Sequence, residues 1–339
     1  MRKLRVNLGE KSYDIIIEKG IIEKAGQYIK SKKVFVITDE NVDPLYGEKF
    51  FSSIGGEVKK LVLPPGEDTK SFKILQKVYD FLLQNQISRS DTIVALGGGV
   101  IGDLTGFAAA TVLRGVPFVQ IPTSLLAQVD SSVGGKVAIN SPYGKNLIGA
   151  FYQPKLVLID PLCLETLDKR YIADGMAEVI KYGCIRDENL FSQISKSSAM
   201  SKIEDVIYTC CDIKRSVVEN DEFDTGERMI LNFGHTIGHA VENYYNYEKY
   251  THGEAVAIGM YNISLIGEKM GITPEGTAEK IKEVLQKYNL PHALDVDFAS
   301  LSKAMALDKK NLDSNIHLIL LDRIGNAVIR LMPGNEVLL

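Results

Sequence analysis

A chain of 339 residues, 45% hydrophobic and 24% charged, is too long for one average domain and can bury sizeable cores without disulfides or structural metals. Its net charge of -4 comes from interleaved acids and bases, which gives no electrostatic footprint for a nucleic-acid partner. No apolar run approaches the roughly 20 residues that span a bilayer, and "MRKLRVNLGEKSYDIII" lacks the unbroken apolar stretch of a signal peptide, so a soluble, cytoplasmic protein with no membrane partner is expected.

In chain order, "KLRVNL" and "SYDIII" flank the turn "GEK" and read as an opening hairpin. Residues 33–42, "KVFVITDENV", form a buried strand carrying Thr38 and Asp39, and 56–67 a short strand followed by a loop. Phe72, Leu75, Val78, Phe81 and Leu82 recur at helical spacing within 70–85. Residues 91–103 run from an apolar strand into glycines, and 118–124 supply a further strand. Strands alternating with helices imply a largely parallel sheet covered on both faces. After "KLVLIDP" (155–161) the patterns turn helical: 174–184, 187–199, 201–219, 228–246, 252–270, 275–287 and 298–307. Only "IHLILLDRIGNAVIRL" reads as a late strand pair. No Gly/Ser/Pro-rich linker separates the halves, so the expectation is two domains packed across a cleft. The four cysteines, Cys163, Cys184, Cys210 and Cys211, contain no C-x-x-C pair and read as buried free thiols in a reducing compartment.

Three stretches carry chemistry. In "GGGVIGD", Gly97, Gly99 and Gly102 fit G-x-G-x-x-G between a strand and a helix, where the backbone can approach a pyrophosphate at a helix N-terminus. The usual dinucleotide fold places this motif in its first strand–turn–helix unit, with an acidic residue about 20 positions later. Here the motif comes late and position 123 is Thr, but Asp39 ends an earlier strand and could accept ribose hydroxyls if the topology brings it alongside. The plain alternative is a tight turn with no ligand.

Residues 122–154 are too rich in polar and small side chains for an ordinary connection. Asp130, Ser131, Ser132, Gly134, Gly135, Lys136, Asn140, Lys145 and Asn146 suit phosphate or polyol binding, against the alternative of a solvated loop. In "NFGHTIGHA", His235 and His239 share a helical face, with His252 thirteen residues beyond. Asp174, Glu178 and Lys181 share another face, and helical register groups Arg228, Asn232 and His235. A catalytic zinc site takes three protein ligands and keeps an open position. Residue types alone leave open which three of Glu178, His235, His239 and His252 are ligands.

Taken together, "PGEDTK", "GGGVIGD", "RGVPFVQIPTSLLAQVDSSVGGK", "KNLIGAFYQP", "GMAEVIKYG", "KRSVVENDEFDTGER", "LNFGHTIGHA", "HGEAVAIGM" and "DKKN", in this order, resemble the 3-dehydroquinate synthase family of sugar-phosphate cyclases, from about residue 33 to about 326. The resemblance implies an α/β, Rossmann-like nucleotide-binding domain over 1–157. A mainly α-helical domain that binds metal and substrate would follow over 158–339. It implies Glu178, His235 and His252 as ligands of one divalent metal, zinc or cobalt, with His239 facing substrate. It places NAD on Asp39, Glu67, Lys70, Gly99, Val100, Ile101, Gly102, Asp103, Thr123, Ser124, Asp130, Lys136 and Lys145, the family often having threonine at Ser124. Substrate contacts fall on Lys136, Asn146, Lys181, Lys214, Arg228, Asn232, His239 and Lys309. Arg114 would reach in from a neighbouring subunit of a homodimer.

The reaction so implied starts from 3-deoxy-D-arabino-heptulosonate 7-phosphate. Transient oxidation by NAD acidifies a neighbouring C–H and phosphate is eliminated, its own oxygens able to take the proton. Re-reduction, ring opening and intramolecular aldol closure then give 3-dehydroquinate. An acidic protein must gather positive charge locally for such an anion, and Arg228 can grip a carboxylate through two parallel hydrogen bonds. Two alternatives stand beside this: another cyclase, such as 2-deoxy-scyllo-inosose synthase acting on glucose 6-phosphate, and a metal-dependent polyol dehydrogenase. The Lys214 and Arg228 pair, unneeded by a substrate without a carboxylate, weighs against the first, and the cluster of anion-binding residues against the second.

Overall fold

The structure, a computed structural model, describes residues 1–294, 296, 301 and 315–333. Lys309, "DKKN" and, apart from Leu301, the expected helix over 298–307 lie outside the described residues. Two compact units result: Met1–Asp168 with Cys210–Phe223, and Lys169–Thr209 with Asp224–Leu339.

The first unit contains β1 (Arg2–Val6), β2 (Tyr13–Ile17), β3 (Lys33–Asp39), α1 (Glu48–Ser53), β4 (Glu57–Leu63), α2 (Phe72–Gln84), β5 (Thr92–Gly97), α3 (Gly99–Thr111), β6 (Phe118–Pro122), β7 (Lys136–Ser141), β8 (Gly144–Phe151) and β9 (Leu156–Ile159). A seven-stranded sheet runs β1-β2-β9-β6-β5-β3-β4, parallel throughout except for the expected hairpin of β1 with β2. Strand alternation sorts the apolar runs onto two faces. Phe35, Ile37, Ile93 and Ala95 join Leu75, Val78, Leu104 and Ala108 of α2 and α3, while Val34, Val36, Val94 and Leu96 meet Ile21, Ile22 and Phe50. Both faces are thus covered, which is why these strands are apolar without a break.

β3 has β4 on one side and β5 on the other. The chain order reverses there, and in open α/β sheets the carboxyl ends of such strands border the ligand crevice. Asp39 and Gly97 are the last residues of those two strands, in register through Ile37 opposite Ala95.

The polar stretch 122–154 is less loop than its composition suggests. β7 and β8 form an antiparallel hairpin in which Val137, Ile139, Ile148 and Ala150 face the core. The period-two signal is there, but short residues and glycines between the apolar positions mask it. The expected domain edge at 157 falls inside β9, where Val157, Leu158 and Ile159 are fully buried.

The second unit holds α4 (Lys169–Ile185), α5 (Glu188–Lys196), the start of α6 (Ile203–Asn220), α7 (His235–Tyr244), α8 (His252–Lys269), α9 (Thr277–Lys287) and the hairpin of β10 (Asn315–Arg323) with β11 (Asn326–Pro333). From Cys210 onward α6 belongs to the first unit. There the Cys211 thiol donates to the Gln128 carbonyl at 3.2 Å, and Glu219 accepts from the Asn7 amide at 2.9 Å. Periodicity detects such a helix but not a change of packing partner along it.

One expected helix is broken. The run 228–246 is a 3₁₀ turn over Glu227–Asn232, then Gly234 at φ 80°, then α7. Arg228 and Asn232 therefore do not share a helical face with His235. The break follows from close packing of α7 on α8. A Cβ on Gly259 would lie 1.9 Å from the Gly234 carbonyl oxygen, and one on Gly234 would meet Met260 at 2.6 Å. Gly259→Ala is expected to destabilise the protein by about 2 kcal/mol or more through overpacking against backbone, read as a lower urea midpoint. An unchanged midpoint would mean that the two helices part at no cost. Among the described residues no helix is long and apolar enough to cross a membrane.

Candidate active site

In the first unit, Gly98 caps α3, and the first-turn amides of Gly99, Val100 and Ile101 precede the first internal bond, Gly102 N–H to Gly98 C=O at 3.0 Å. Helix N-termini carry unsatisfied N–H groups and a partial positive charge, a ready anion site. The glycines keep this turn tight: a Cβ on Gly102 would sit 2.7 Å from Gln120 Oε1 of β6, and one on Gly99 3.1 Å from Ser131 Oγ. Ile101 is 2% exposed and its side chain belongs to the core, so only its backbone is offered to a ligand. Thr123 N–H donates to Gly97 C=O at 3.0 Å, and Ser124 Oγ lies within 3.4 Å of a Cβ built on Gly98. The topology does bring Asp39 beside this turn. Its Oδ1 accepts from the amides of Asn41 and Val42 at 2.9 and 3.0 Å, while burial pushes its carboxyl upward against those bonds.

Lys70, 4% exposed, reaches Asp103 Oδ2 at 2.6 Å. Burial opposes its charge, but the Asp103 and Glu67 carboxylates outweigh that and raise its pKa. Glu67 Oε1 accepts from Asn140 Nδ2 at 2.7 Å. Lys214 on α6 pairs with the Asp130 carboxylate and donates to its backbone carbonyl at 2.8 Å, so one residue expected at substrate and one expected at NAD are already partners. Lys136 and Asn146 are exposed on the β7–β8 hairpin, Lys145 is half-buried beside them, and Arg114 is exposed in the turn after α3. At that turn Leu113 and Arg114 have φ of 49° and 66°.

In the second unit α4, α7 and α8 bring Glu178, His235 and His252 together, with one ligand atom of each within 4.8 Å of the others. Glu178 is fully buried, and its Oε1 has no hydrogen-bond partner among the described residues although His252 Nε2 lies at 3.4 Å and His235 Nε2 at 3.7 Å. Such a carboxylate oxygen is costly to bury unless a cation or donor meets it. The other ring nitrogens are engaged: His235 Nδ1 lies 3.2 Å from Phe233 C=O and His252 Nδ1 3.5 Å from Glu242 Oε2. Partners of this kind orient metal-ligating imidazoles. Burial drives the His235 pKa well below its ordinary value, the neutral form a metal requires. His252 is half-buried; desolvation opposes its charge, yet the Glu178 and Glu242 carboxylates beside it raise it to about 10. The donor set fits a divalent ion such as zinc.

A second grouping, His239, Glu242 and His252, is equally close. It includes Glu242, which lies against His252 Nδ1 at 3.5 Å, and the exposed His239, whose ring lies 5.4 Å from that of His235. The orphaned Glu178 oxygen favours the first set. Lys181, 1% exposed, is ion-paired with Glu178. Arg228, also 1% exposed, lies in the 3₁₀ turn that packs on α4, next to Glu227, which is ion-paired with Arg186; Asn232 ends that turn half-buried.

Thr251, Gly253, Glu254, Arg170 and Glu242 support the site without having been singled out in the sequence, and Asp174 takes a part that its helical face did not specify. Thr251 and Glu254 form a capping box at the start of α8, and Arg170 of α4 grips Glu254 at 2.9 and 2.8 Å. Asp174 Oδ1 accepts from Gly253 N–H at 2.6 Å, and Gly253 has no room for a Cβ, which would lie 2.1 Å from Asp174 C=O. These contacts seat His252, the first residue of α8. The T-x-x-E spacing of "THGE" was the legible signal; for Glu242 there was none. Glu242→Gln is expected to weaken zinc binding about tenfold or more by releasing the His252 ring, checked by competition with a chelating dye. Unaltered affinity would remove Glu242 from the site.

Family models described as 3-dehydroquinate synthase N-terminal and C-terminal match residues 60–174 and 175–311. The chain is similar to the curated 3-dehydroquinate synthases of Clostridium beijerinckii, at 57% identity over 97% of each chain, and of Clostridium botulinum, at 55% over 97% of this chain and 98% of that one. Among solved structures it is similar to 2-deoxy-scyllo-inosose synthase complexed with carbaglucose-6-phosphate, NAD+ and Co2+. The TM-score is 0.89 at 25% identity, over 99% of this chain and 98% of that one. It is also similar to 2-epi-5-epi-valiolone synthase from Streptomyces hygroscopicus with NAD+ and Zn2+ bound, with a TM-score of 0.88 at 25% identity over 98% and 96%.

Proposed function

The chain belongs to the 3-dehydroquinate synthase family, phosphate-eliminating lyases of the shikimate pathway, and we propose that it acts on 3-deoxy-D-arabino-heptulosonate 7-phosphate with NAD and one divalent metal ion. NAD+ with Co2+ or Zn2+ in the two related cyclases supports both cofactors; zinc is our choice of ion for two imidazoles and a carboxylate, and cobalt also suits them. The observation that carries the metal assignment is the fully buried, orphaned Glu178 oxygen facing two imidazole nitrogens.

Glu178, His235 and His252 hold the ion in this reading. NAD belongs to the domain over 1–157. Asp39 takes a ribose hydroxyl, and the α3 amides at Gly99, Val100, Ile101 and Gly102 take the pyrophosphate. Glu67, Lys70, Asp103, Thr123, Ser124, Asp130, Lys136 and Lys145 complete the pocket. Substrate belongs chiefly to 158–339, with Lys181, Lys214, Arg228, Asn232, His239 and Lys309 joined by Lys136 and Asn146. When bound, the ion supplies a Lewis acid and NAD a hydride acceptor that is regenerated within the turnover.

The chain's own share is charge and alignment. Lys181 brings a buried ammonium to the metal-binding carboxylate, while Arg228 offers a planar fork matched to the substrate carboxylate. Lys214 must divide its donors between Asp130 and the substrate. His239, outside the Glu178 set, faces substrate. A cytoplasmic homodimer, with Arg114 serving the neighbouring subunit, completes the proposal.

The test is to supply zinc-loaded protein with the heptulosonate phosphate and NAD while following inorganic phosphate together with absorbance at the NADH band. Phosphate release without lasting NADH is expected. NADH accumulating from simple polyols would instead make the protein a dehydrogenase, and phosphate release from glucose 6-phosphate alone would reassign the substrate.

A further inference from the structure

Asn140 lies between groups that the proposed function gives to NAD and a group it gives to substrate, and three of its polar atoms engage them. The β7–β8 register shifts between Ile139 and Ser141, so Asn140 falls at the irregularity. Bulges of this kind release a residue from the ladder and re-aim its side chain. The freed Asn140 N–H donates to the Lys70 carbonyl at 2.7 Å. Its side-chain Nδ2 donates to Glu67 Oε1 at 2.7 Å, and its Oδ1 accepts from the Asn146 N–H at 3.0 Å.

We propose that Asn140 is a positioning residue that locks the Glu67–Lys70 turn to Asn146, so that one amide sets cofactor and substrate contacts together. The inference rests on the assignment of Glu67 and Lys70 to NAD and of Asn146 to substrate. The chemistry demands an amide. Glu67 needs a donor, because a carboxylate turned toward ligand is otherwise free to rotate. Asn146 sits at φ 59°, a left-handed conformation that asparagine adopts more readily than most residues. Its N–H needs an acceptor to hold that conformation. An aspartate at 140 would satisfy Asn146 but set a second carboxylate against Glu67. An alanine would satisfy neither. Lys70, whose carbonyl is held by the same residue, carries the Nζ that meets Asp103 at 2.6 Å, so the lock extends to the second turn of α3.

The experiment measures NAD affinity of zinc-loaded protein by calorimetry, with steady-state kinetics alongside. Asn140→Ala is expected to weaken NAD binding roughly five- to tenfold, the worth of about one ordinary hydrogen bond. It should also raise the substrate KM while kcat changes less than about threefold. Asn140→Asp should be worse than Asn140→Ala, because like charges then face each other. Glu67→Gln combined with Asn140→Asp re-forms the bond with donor and acceptor exchanged, and should bind NAD to within about threefold of Glu67→Gln alone. A merely structural role would not give this reciprocal rescue. Asn140→Ser stands in if the alanine variant fails to fold. The inference is overturned if Asn140→Asp binds NAD as well as Asn140→Ala, or if the double variant is no better than Asn140→Asp. Unchanged NAD affinity in Glu67→Ala would instead overturn the assignment of Glu67 to NAD.

Discussion

His235→Ala is expected to yield a folded protein that retains less than about a tenth of an equivalent of zinc after dialysis and loses activity on the order of a thousandfold, some 4 kcal/mol of barrier. The reasoning starts from the three-ligand count. Removing one imidazole leaves Glu178 and His252, and two ligands do not make a closed or a catalytic zinc site. His235 is the ligand to delete because its loss disturbs folding least. Deleting Glu178 would strand the buried ammonium of Lys181, and deleting His252 would remove the partner of Glu242 at the start of α8. Metal content by atomic emission and the unfolding midpoint separate loss of metal from loss of fold. A variant that keeps one equivalent of zinc would move the ion to the His239, Glu242 and His252 set.

Arg228→Lys is expected to lower kcat/KM about a hundredfold with zinc content unchanged, mostly through KM. Lysine keeps the charge but replaces a rigid fork by a point donor on a flexible stem, so bidentate recognition of a carboxylate is lost. Arg228 is 1% exposed, and a cation so enclosed is not a solvated surface charge. Its presence fits a substrate carboxylate, which glucose 6-phosphate lacks. Equal kcat/KM for wild type and Arg228→Lys would place the carboxylate elsewhere.

Much of the first unit is legible in its sequence. The apolar runs of β3, β5, β6 and β9 are strands buried on both faces, and Gly97–Asp103 announces a helix N-terminus open to an anion. The β7–β8 hairpin was harder, because its core-facing residues alternate with glycine, asparagine and lysine that dilute the apolar signal. The run 228–246 misled because its side chains keep helical spacing across Gly234, while α8 approaches too closely for the helix to continue straight through. The part of α6 from Cys210 to Asn220 looked like the rest of the helix because periodicity reports that a face is buried and not what buries it.

From the order of its residues alone, this protein's fold class and family could be read, because strand alternation and glycine spacing are local properties, whereas residue type left open which three of Glu178, His235, His239 and His252 come together. The packing of α4, α7 and α8 decided the rest. Glu178 and His252 are far apart in sequence and meet only because Gly253 lets α8 touch the backbone of α4. That contact decides which imidazole nitrogen faces Glu178 and which faces Glu242. The same holds for Asn140, one polar residue among many in its stretch until the hairpin irregularity set it between Glu67 and Asn146. A motif specifies what a side chain can do, but only close packing of distant segments specifies what it does it to.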